Sequence, residues 1–297
     1  MSRFRHFMAI DWSGAARARH KGIAIALCGR NGAAPVLLPA PDHCHWSREG
    51  VLALLRGGLP ADTLVGLDLG ISLPFADAGA FFPGWDESPA DARALWAMID
   101  AVCRDDPHLA ATSFVDHPIA SAYFRRHGGR EGPRFHLAPA EHKRGRFRLT
   151  EAAQAARGCK PYSNFNLVGA AQVGKSSLTG MRLLHRLGGH VPVWPIDGLA
   201  PPAGGSLIVE IYTTIAAVAA GRLAGRAKMH DARELDTALG ALGSPPSGLM
   251  GALDDHTTDA ILTAAWLRRH ADDATLWQPA GLTTDIARTE GWTFGAA

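Results

Sequence analysis

The sequence has few cysteines, and their spacing fits neither a metal ribbon nor a disulfide framework. No Cys-x-x-Cys pair occurs among the four, which are Cys28, Cys44, Cys103 and Cys159. Scattered thiols of this kind indicate neither a zinc ribbon nor a disulfide-stapled fold, and they suit a reducing compartment. We therefore expect a cytoplasmic protein.

Long uninterrupted apolar runs are also missing. Asp11 ends the apolar stretch 7–10 after four residues, and Glu210 lies inside the longest later run. The first stretch is too short for the core of a signal peptide, and the second carries a charge that a membrane span disfavours. The sequence predicts no export signal and no membrane span.

A strong excess of one charge is absent as well. The formal net charge is +2 and charged residues make up 20% of the chain, so only local clustering could indicate a polyanionic partner. The 297 residues, 47% of them hydrophobic, suffice for one large domain or for a core domain with an insertion.

The first quarter of the chain has the pattern of an antiparallel meander followed by a helix and a buried strand. Turn residues separate three predicted strands, at 4–12, 22–28 and 35–39. Ser47 is a predicted N-cap for a helix over 48–57, and the apolar run 63–69 is typical of a strand covered on both faces. This order of elements is the one that opens a ribonuclease-H-like sheet.

The pattern loosens in the middle of the chain, and we interpret 75–163 as an inserted, basic, partly helical region. The ribonuclease-H-like core would then comprise 1–74 and 164–297. Helices are predicted in the insertion at 89–104, 113–126 and 150–157. In the second part of the core we predict strands at 164–169, 190–197 and 206–212 and helices at 177–187, 214–224, 231–242 and 255–270.

Carboxylates follow apolar strands at three places, and a pair of them opens the last long helix. Asp11, Asp68 and Glu210 each lie near the carboxyl end of a predicted strand. An ionised group in that position costs roughly several kcal/mol unless it is paired or bound to a cation. Asp255 and Asp259 are spaced i, i+4, on one helix face. Hard oxygen ligands in this number are what magnesium prefers, and two ions can clamp a phosphoryl displacement.

Each of these acids also has a local interpretation. An Asp at a strand end is often a turn former, Asp255 could be an N-cap, and Asp259 in the first turn gains from the helix dipole. The five together, in this order and context, favour a site that holds two Mg²⁺ or Mn²⁺ ions.

Four short motifs resemble those of the domain-of-unknown-function family 429, whose members are predicted ribonuclease-H-like nucleases. They are AIDWSG at 9–14, GLDLGISLPF at 66–75, VEIYTTIAA at 209–217 and DDHTTDAILTAAWL at 254–267, and the block 164–187 is similar to a middle block of that family. The resemblance implies catalytic and metal-binding roles for the five acids at the matching motif positions, with Glu210 the weakest match. The last pair is similar to that in the final helix of Holliday-junction resolvases.

A second motif competes with this interpretation. Residues 169–176 satisfy the Walker A pattern between a predicted strand and a predicted helix, so Lys175 could pair with phosphate and Ser176 could hold magnesium. No later apolar strand ends in a clear Walker B Asp. The loop is therefore a P-loop, a glycine-rich turn, or a phosphate contact that serves a nuclease. The actin-like phosphate loop suggested by 66–70 is less favoured, because that loop normally opens a domain.

Basic residues concentrate in one window of the predicted insertion. Between 121 and 160, ten Lys and Arg face three Glu, and aromatic residues interleave with them. Phosphate contacts and base stacking would both be available there, unless the run is only a solvated surface. The predicted phosphate or nucleic-acid contacts are Ser13, Arg144, Arg146, Arg148 and Lys175.

The sequence thus predicts an α/β protein with a ribonuclease-H-like mixed five-stranded sheet flanked by helices. The expected function is metal-dependent phosphodiester hydrolysis of nucleic acid. A P-loop nucleotide-hydrolysing enzyme and a non-catalytic nucleic-acid-binding module are the alternatives.

Overall fold

The fold is built on one mixed sheet, seen in a computed structural model that describes residues 3–41, 44–137, 144–168 and 173–296. Its strands lie in the order β3-β2-β1-β4-β6-β5. They are β1 (His6–Asp11), β2 (Ala24–Gly29), β3 (Val36–Leu37), β4 (Thr63–Asp68), β5 (Val193–Trp194) and β6 (Leu207–Glu210).

The first three strands form the predicted antiparallel meander, and β4 then pairs parallel to β1. β6 runs parallel to β4, and β5 runs parallel to β6 at the far edge. Six strands rather than the predicted five make up the sheet. The strand predicted at 190–197 is present only as the two-residue edge strand β5. The α/β class and the mixed sheet are confirmed.

Helices cover both faces of this sheet. They are α1 (Arg48–Ala53), α2 (Ala92–Val102), α3 (Thr112–Val115), α4 (Leu149–Ala156), α5 (Val173–Leu187), α6 (Thr213–Ala219), α7 (Ala232–Ala241), α8 (Asp255–His270), α9 (Ala274–Trp277) and α10 (Thr284–Thr289). Ser47 caps α1 as predicted, since its side chain accepts a hydrogen bond from the Gly50 amide.

Two hydrophobic cores result, one on each side of the sheet. On one side, the alternate residues Met8, Ile10 and Leu67 pack with α1, α2 and α5. On the other side, Ala9 and Val209 pack with α6, α7 and α8. Strand residues therefore alternate between two buried faces, which explains the nearly continuous apolar runs in the sequence.

The predicted insertion shares the first of these cores. Phe81, Trp96 and Phe114 lie fully buried in the same cluster as Met8 and Ile10 of β1. Residues 75–163 are thus an insertion in the order of the chain that packs directly on the sheet, not a unit with a separate core.

Two predicted elements are wrong. Residues 164–168 form no strand, only a single bridge at Asn166, and the Asn164 side chain donates to the Ser72 carbonyl. The predicted helix over 113–126 is reduced to α3 and a 3₁₀ turn over 120–123, because Pro118 lacks the amide that a continuous helix needs.

Across the described parts of the chain, none of the helices combines the length and the apolar character that crossing a bilayer requires.

Candidate active site

Neighbouring strands place two of the predicted acids side by side. β1 and β4 pair in register, so that Asp11 lies opposite Asp68. Residues paired in this way point to the same face of a parallel sheet. A Cβ atom built on Gly66, two residues before Asp68, would lie 3.0 Å from a methyl group of Leu267 in α8. Both carboxylates therefore face the α8 side.

Helix α8 brings the predicted pair of acids to this edge. Asp254 caps the helix by accepting from the Thr257 amide, so Asp255 is its first residue and not its cap. One turn later Asp259 is 7% exposed, whereas the Asp255 side chain is 38% exposed. Of the two, Asp259 is the one that enters the cavity shared with Asp11.

Positive or ionisable side chains contact the acids. The Nζ atom of Lys228, in the connection between α6 and α7, lies 2.8 Å from Oδ2 of Asp259 and 3.5 Å from Oδ2 of Asp255. The Nδ1 atom of His256 lies 2.9 Å from Oδ2 of Asp11. Asp11 and Asp259 therefore each have a separate close partner.

Burial and crowding disfavour the charged forms of the acids. Burial raises the pKa of Asp11, which its hydrogen bond to His256 partly offsets, and it raises the pKa of Asp259 against the charge of Lys228. The pKa of Asp68 is raised well above its ordinary value, first by burial and then by the charges of Asp11 and Asp259. Burial and the closeness of the three acids therefore disfavour the fully ionised cluster.

Glu210 does not belong to this cluster, contrary to the sequence prediction. It is paired with Leu67, one residue before Asp68, and because side chains alternate along a strand it points to the opposite face of the sheet. Its Oε1 and Oε2 atoms accept hydrogen bonds from Arg148 at 2.6 and 2.8 Å, and the Ile71 amide and the Thr293 hydroxyl complete its contacts. Glu210 is a buried structural acid.

Two of the predicted nucleic-acid contacts are also structural and buried. Arg148, 1% exposed, binds both Glu151 and Glu210. Arg146, 2% exposed, makes a two-pronged contact with Asp77 at 2.6 and 2.7 Å and donates to the Phe81 carbonyl. Their prediction as phosphate contacts is wrong, because their guanidinium groups are buried and already bonded to groups of the protein.

The other predicted contacts are at least partly accessible. Arg144 is exposed and its guanidinium carbon lies 4.8 Å from the ring centre of Tyr162. Ser13 lines the cavity. Among the described residues in the first turn of α5, Val173 and Ser176 line the cavity and Lys175 does not, while 169–172 of the Walker-like motif lie outside the described residues.

The three acids and their partners border one open cavity of about 720 Å³ at the carboxyl edge of the sheet. Its acidic end contains Asp11, Asp68 and Asp259, with Lys228 and His256 beside them. The wall also includes Lys160, Tyr162 and Tyr212 and the buried Arg148–Glu151 pair. A polyanion could thus meet cationic and aromatic groups next to the acids.

The sequence interpretation missed His256 and Lys228. His256 stands inside the motif 254–267, between the two predicted acids, so its place in the motif was an available signal. Lys228 lies in a connection with no periodicity and no motif, and nothing in the sequence pattern distinguishes it.

The chain has no detectable match among protein-family models, curated proteins or solved structures. Its membership of the domain-of-unknown-function family 429 stays a prediction based on the short motifs. Within the described residues, no group of three or more His, Cys, Asp and Glu side chains is already arranged to hold a metal ion.

Proposed function

We propose that the protein is a metal-dependent nuclease that hydrolyses phosphodiester bonds of nucleic acid on a ribonuclease-H-like core. The observation that carries the proposal is the pairing of Asp11 with Asp68 on adjacent parallel strands, on the face where α8 presents Asp259 to the same cavity. Three acids from three elements meet at one edge of the sheet.

The order of the strands supports the fold part of the proposal. An antiparallel meander of β1, β2 and β3 continues into the parallel strands β4 and β6, and α8 packs across β1 and β2. This is the arrangement that the motifs led us to expect of a ribonuclease-H-like sheet, with the acids at the carboxyl ends of its central strands.

The chemistry of the acids fits magnesium. Asp11, Asp68 and Asp259 offer only oxygen ligands, they are buried or half-buried, and burial is the main cause that raises their pKa values. A divalent cation would favour their ionised forms. The described side chains would have to rearrange around it, because no group of them is already arranged to hold a metal ion and Lys228 contacts Asp259.

Asp11, Asp68 and Asp259 would hold the ions, and Asp255 at the rim could complete the set. Divalent ions held there would supply stabilisation of the charge on the attacking and leaving oxygens of a phosphodiester. The chain itself contributes orientation: His256 fixes the Asp11 carboxylate through its 2.9 Å contact. The amide of Thr213, at the start of α6, favours the charged form of Asp68.

Nucleic acid is the substrate that the surroundings of the acids suit. The loop after β1 lines the cavity with Ser13 and Gly14 and then carries the exposed Arg17 and Lys21. Lys160 and Tyr162 also line the cavity and offer a charge and an aromatic ring, over which Arg144 lies. Phosphate contacts and base stacking are thus both available beside the acids. A reducing, cytoplasmic location would suit the free thiols.

The test is cleavage by Asp68→Asn, assayed with Mg²⁺ and with Mn²⁺ on single-stranded, duplex and branched DNA and RNA. We expect the variant to lose cleavage and to bind the substrate equally or more tightly, because one repulsive charge is removed. Asp86→Asn changes an exposed acid outside the cavity and should leave both unchanged. Absence of metal-dependent cleavage by the wild-type chain on every substrate would contradict the proposal.

A further inference from the structure

Lys228 occupies the position from which a cation would neutralise the acids. Its Nζ atom is 2.8 Å from Asp259 and 3.5 Å from Asp255, and Asp11 and Asp68 lie close enough to interact with its charge. It also lines the cavity. One ammonium group is thus shared among four carboxylates from β1, β4 and α8.

The group keeps its charge in this position. Burial lowers the pKa of Lys228, but the charges of Asp259 and Asp255 and the hydrogen bond to Asp259 raise it by more, so the net shift is upward. His256 and His230 are the other ionisable partners of these acids, on Asp11 and on Asp255 respectively. Neither contacts Asp259, whose close ionic partner among the described residues is Lys228.

An ammonium and a divalent ion compete for the same oxygen. Magnesium binds carboxylate oxygens at about 2.0–2.1 Å, and Oδ2 of Asp259 already accepts from Nζ at 2.8 Å. Two cations on one oxygen would repel each other strongly at such separations. The side chain of Lys228 is 54% exposed, and its flexible stem lets the ammonium turn toward solvent without disturbing the core.

We propose that Lys228 is a tethered counter-ion of the carboxylate cluster, which holds Asp259 when no divalent ion is bound and is displaced when one binds. The proposal rests on the metal site proposed above. Lys228 then raises the metal concentration at which the site fills, because the first ion must displace its ammonium group, and that group remains in the cavity beside the substrate.

The experiment measures Mn²⁺ binding to the full chain without nucleic acid, by calorimetry and by the electron paramagnetic resonance signal of free Mn²⁺. Lys228→Ala should bind Mn²⁺ at least about tenfold more tightly, because a competing charge is gone. Lys228→Arg keeps the charge and should bind as the wild type does. Arg104→Ala removes an exposed cation outside the cavity and should also leave the affinity unchanged.

A second measurement, of the melting temperature, distinguishes the loss of the counter-ion from a folding defect. In EDTA, Lys228→Ala should melt below the wild type because its acids repel one another, and Mn²⁺ should raise its melting temperature more than that of the wild type. If the wild type binds Mn²⁺ and a folded Lys228→Ala binds it equally or more weakly, the counter-ion role is wrong while the metal site stands. If neither binds Mn²⁺ at millimolar concentration, the metal site itself is wrong and the counter-ion role falls with it.

Discussion

Arg144 and Arg148 are four residues apart in sequence, yet one is exposed and the other is buried. The guanidinium of Arg148 is enclosed by Glu151 and Glu210, where the charge of the acids raises its pKa against the effect of burial. Arg144 is exposed and stacks on Tyr162. A buried ion pair is costly to break, because the remaining partner stays uncompensated, whereas an exposed arginine contributes little to stability.

The two arginines should therefore separate stability from binding. We expect Arg148→Ala to lower the free energy of unfolding by about 3–5 kcal/mol, measured by urea denaturation. Arg144→Ala should change it by less than about 0.5 kcal/mol. Arg144→Ala should instead weaken nucleic-acid binding and reduce the salt dependence of its log affinity by about 0.7–0.9. A destabilised Arg144→Ala with unchanged affinity would contradict this division.

His20 predicts a pH dependence of stability. It is 2% exposed, and burial, followed by the charge of Arg48, lowers its pKa from 6.5 to about 4. Because the unfolded chain binds the proton at higher pH than the folded one, stability is lost as the pH falls from about 6.5 to 4, by up to about 3 kcal/mol.

The measurement compares unfolding of wild type and His20→Gln at pH 7, 5.5 and 4. The stability of the variant relative to the wild type should rise steadily as the pH falls. A difference that stays constant over this range would show that His20 takes up its proton equally in both states.

At the scale of elements, the loop after β1 is fitted closely against the start of α5. A Cβ atom on Gly14 would lie 2.5 Å from the carbonyl carbon of Lys175 and from the amide nitrogen of Ser176. Both are backbone atoms, which cannot turn aside as a side chain would. Because position 14 has no side chain, the end of β1 that carries Asp11 can approach α5 this closely.

Gly14→Ala should separate these two elements. We expect a loss of about 1–3 kcal/mol in the free energy of unfolding and weaker binding of substrate at the cavity. Gly57→Ala is the matched control, since a Cβ atom there meets nothing within 4 Å, and it should be neutral or stabilising by up to about 1 kcal/mol. Equal effects of the two substitutions would mean that the close fit at Gly14 has no consequence.

Elements with a local signal were predictable from the sequence. The predicted helix 255–270 has the bounds of α8, since Asp254 supplies a cap and apolar residues continue behind it. The strands predicted at 4–12 and 63–69 contain β1 and β4. The positions of Asp11, Asp68 and Asp259 followed from these elements, and so the core of the candidate site could be predicted.

Features that depend on contacts between residues far apart in the sequence could not be predicted. Arg146 and Arg148 pair with Asp77 and Glu210, which are 69 and 62 residues away in the sequence. Without these partners in view, the basic window 121–160 has the pattern of an exposed nucleic-acid-binding surface. The face to which Glu210 points depends on its register with Leu67, and a shift by one residue reverses that face. Lys228 reaches the acids from a connection whose path only the folded chain shows.

For the whole molecule, the site lies where the two hydrophobic cores meet the carboxyl edge of the sheet. Helix α8 belongs to one core and carries Asp259, while α5 belongs to the other and contributes Ser176 to the cavity wall. The acids are therefore held by elements that pack in the two buried cores. A rigid frame of this kind suits a site that must bring like charges together around a cation.

The most direct test of the metal site is a crystal structure of the chain soaked in MnCl₂, with anomalous data collected at the manganese edge. We predict a manganese peak bound by carboxylate oxygens of Asp11, Asp68 and Asp259 at about 2.1 Å. Lys228 should have left Asp259. Glu210 should remain bound to Arg148. Manganese bound only elsewhere, or an unchanged Lys228–Asp259 contact with no peak between the acids, would contradict the account.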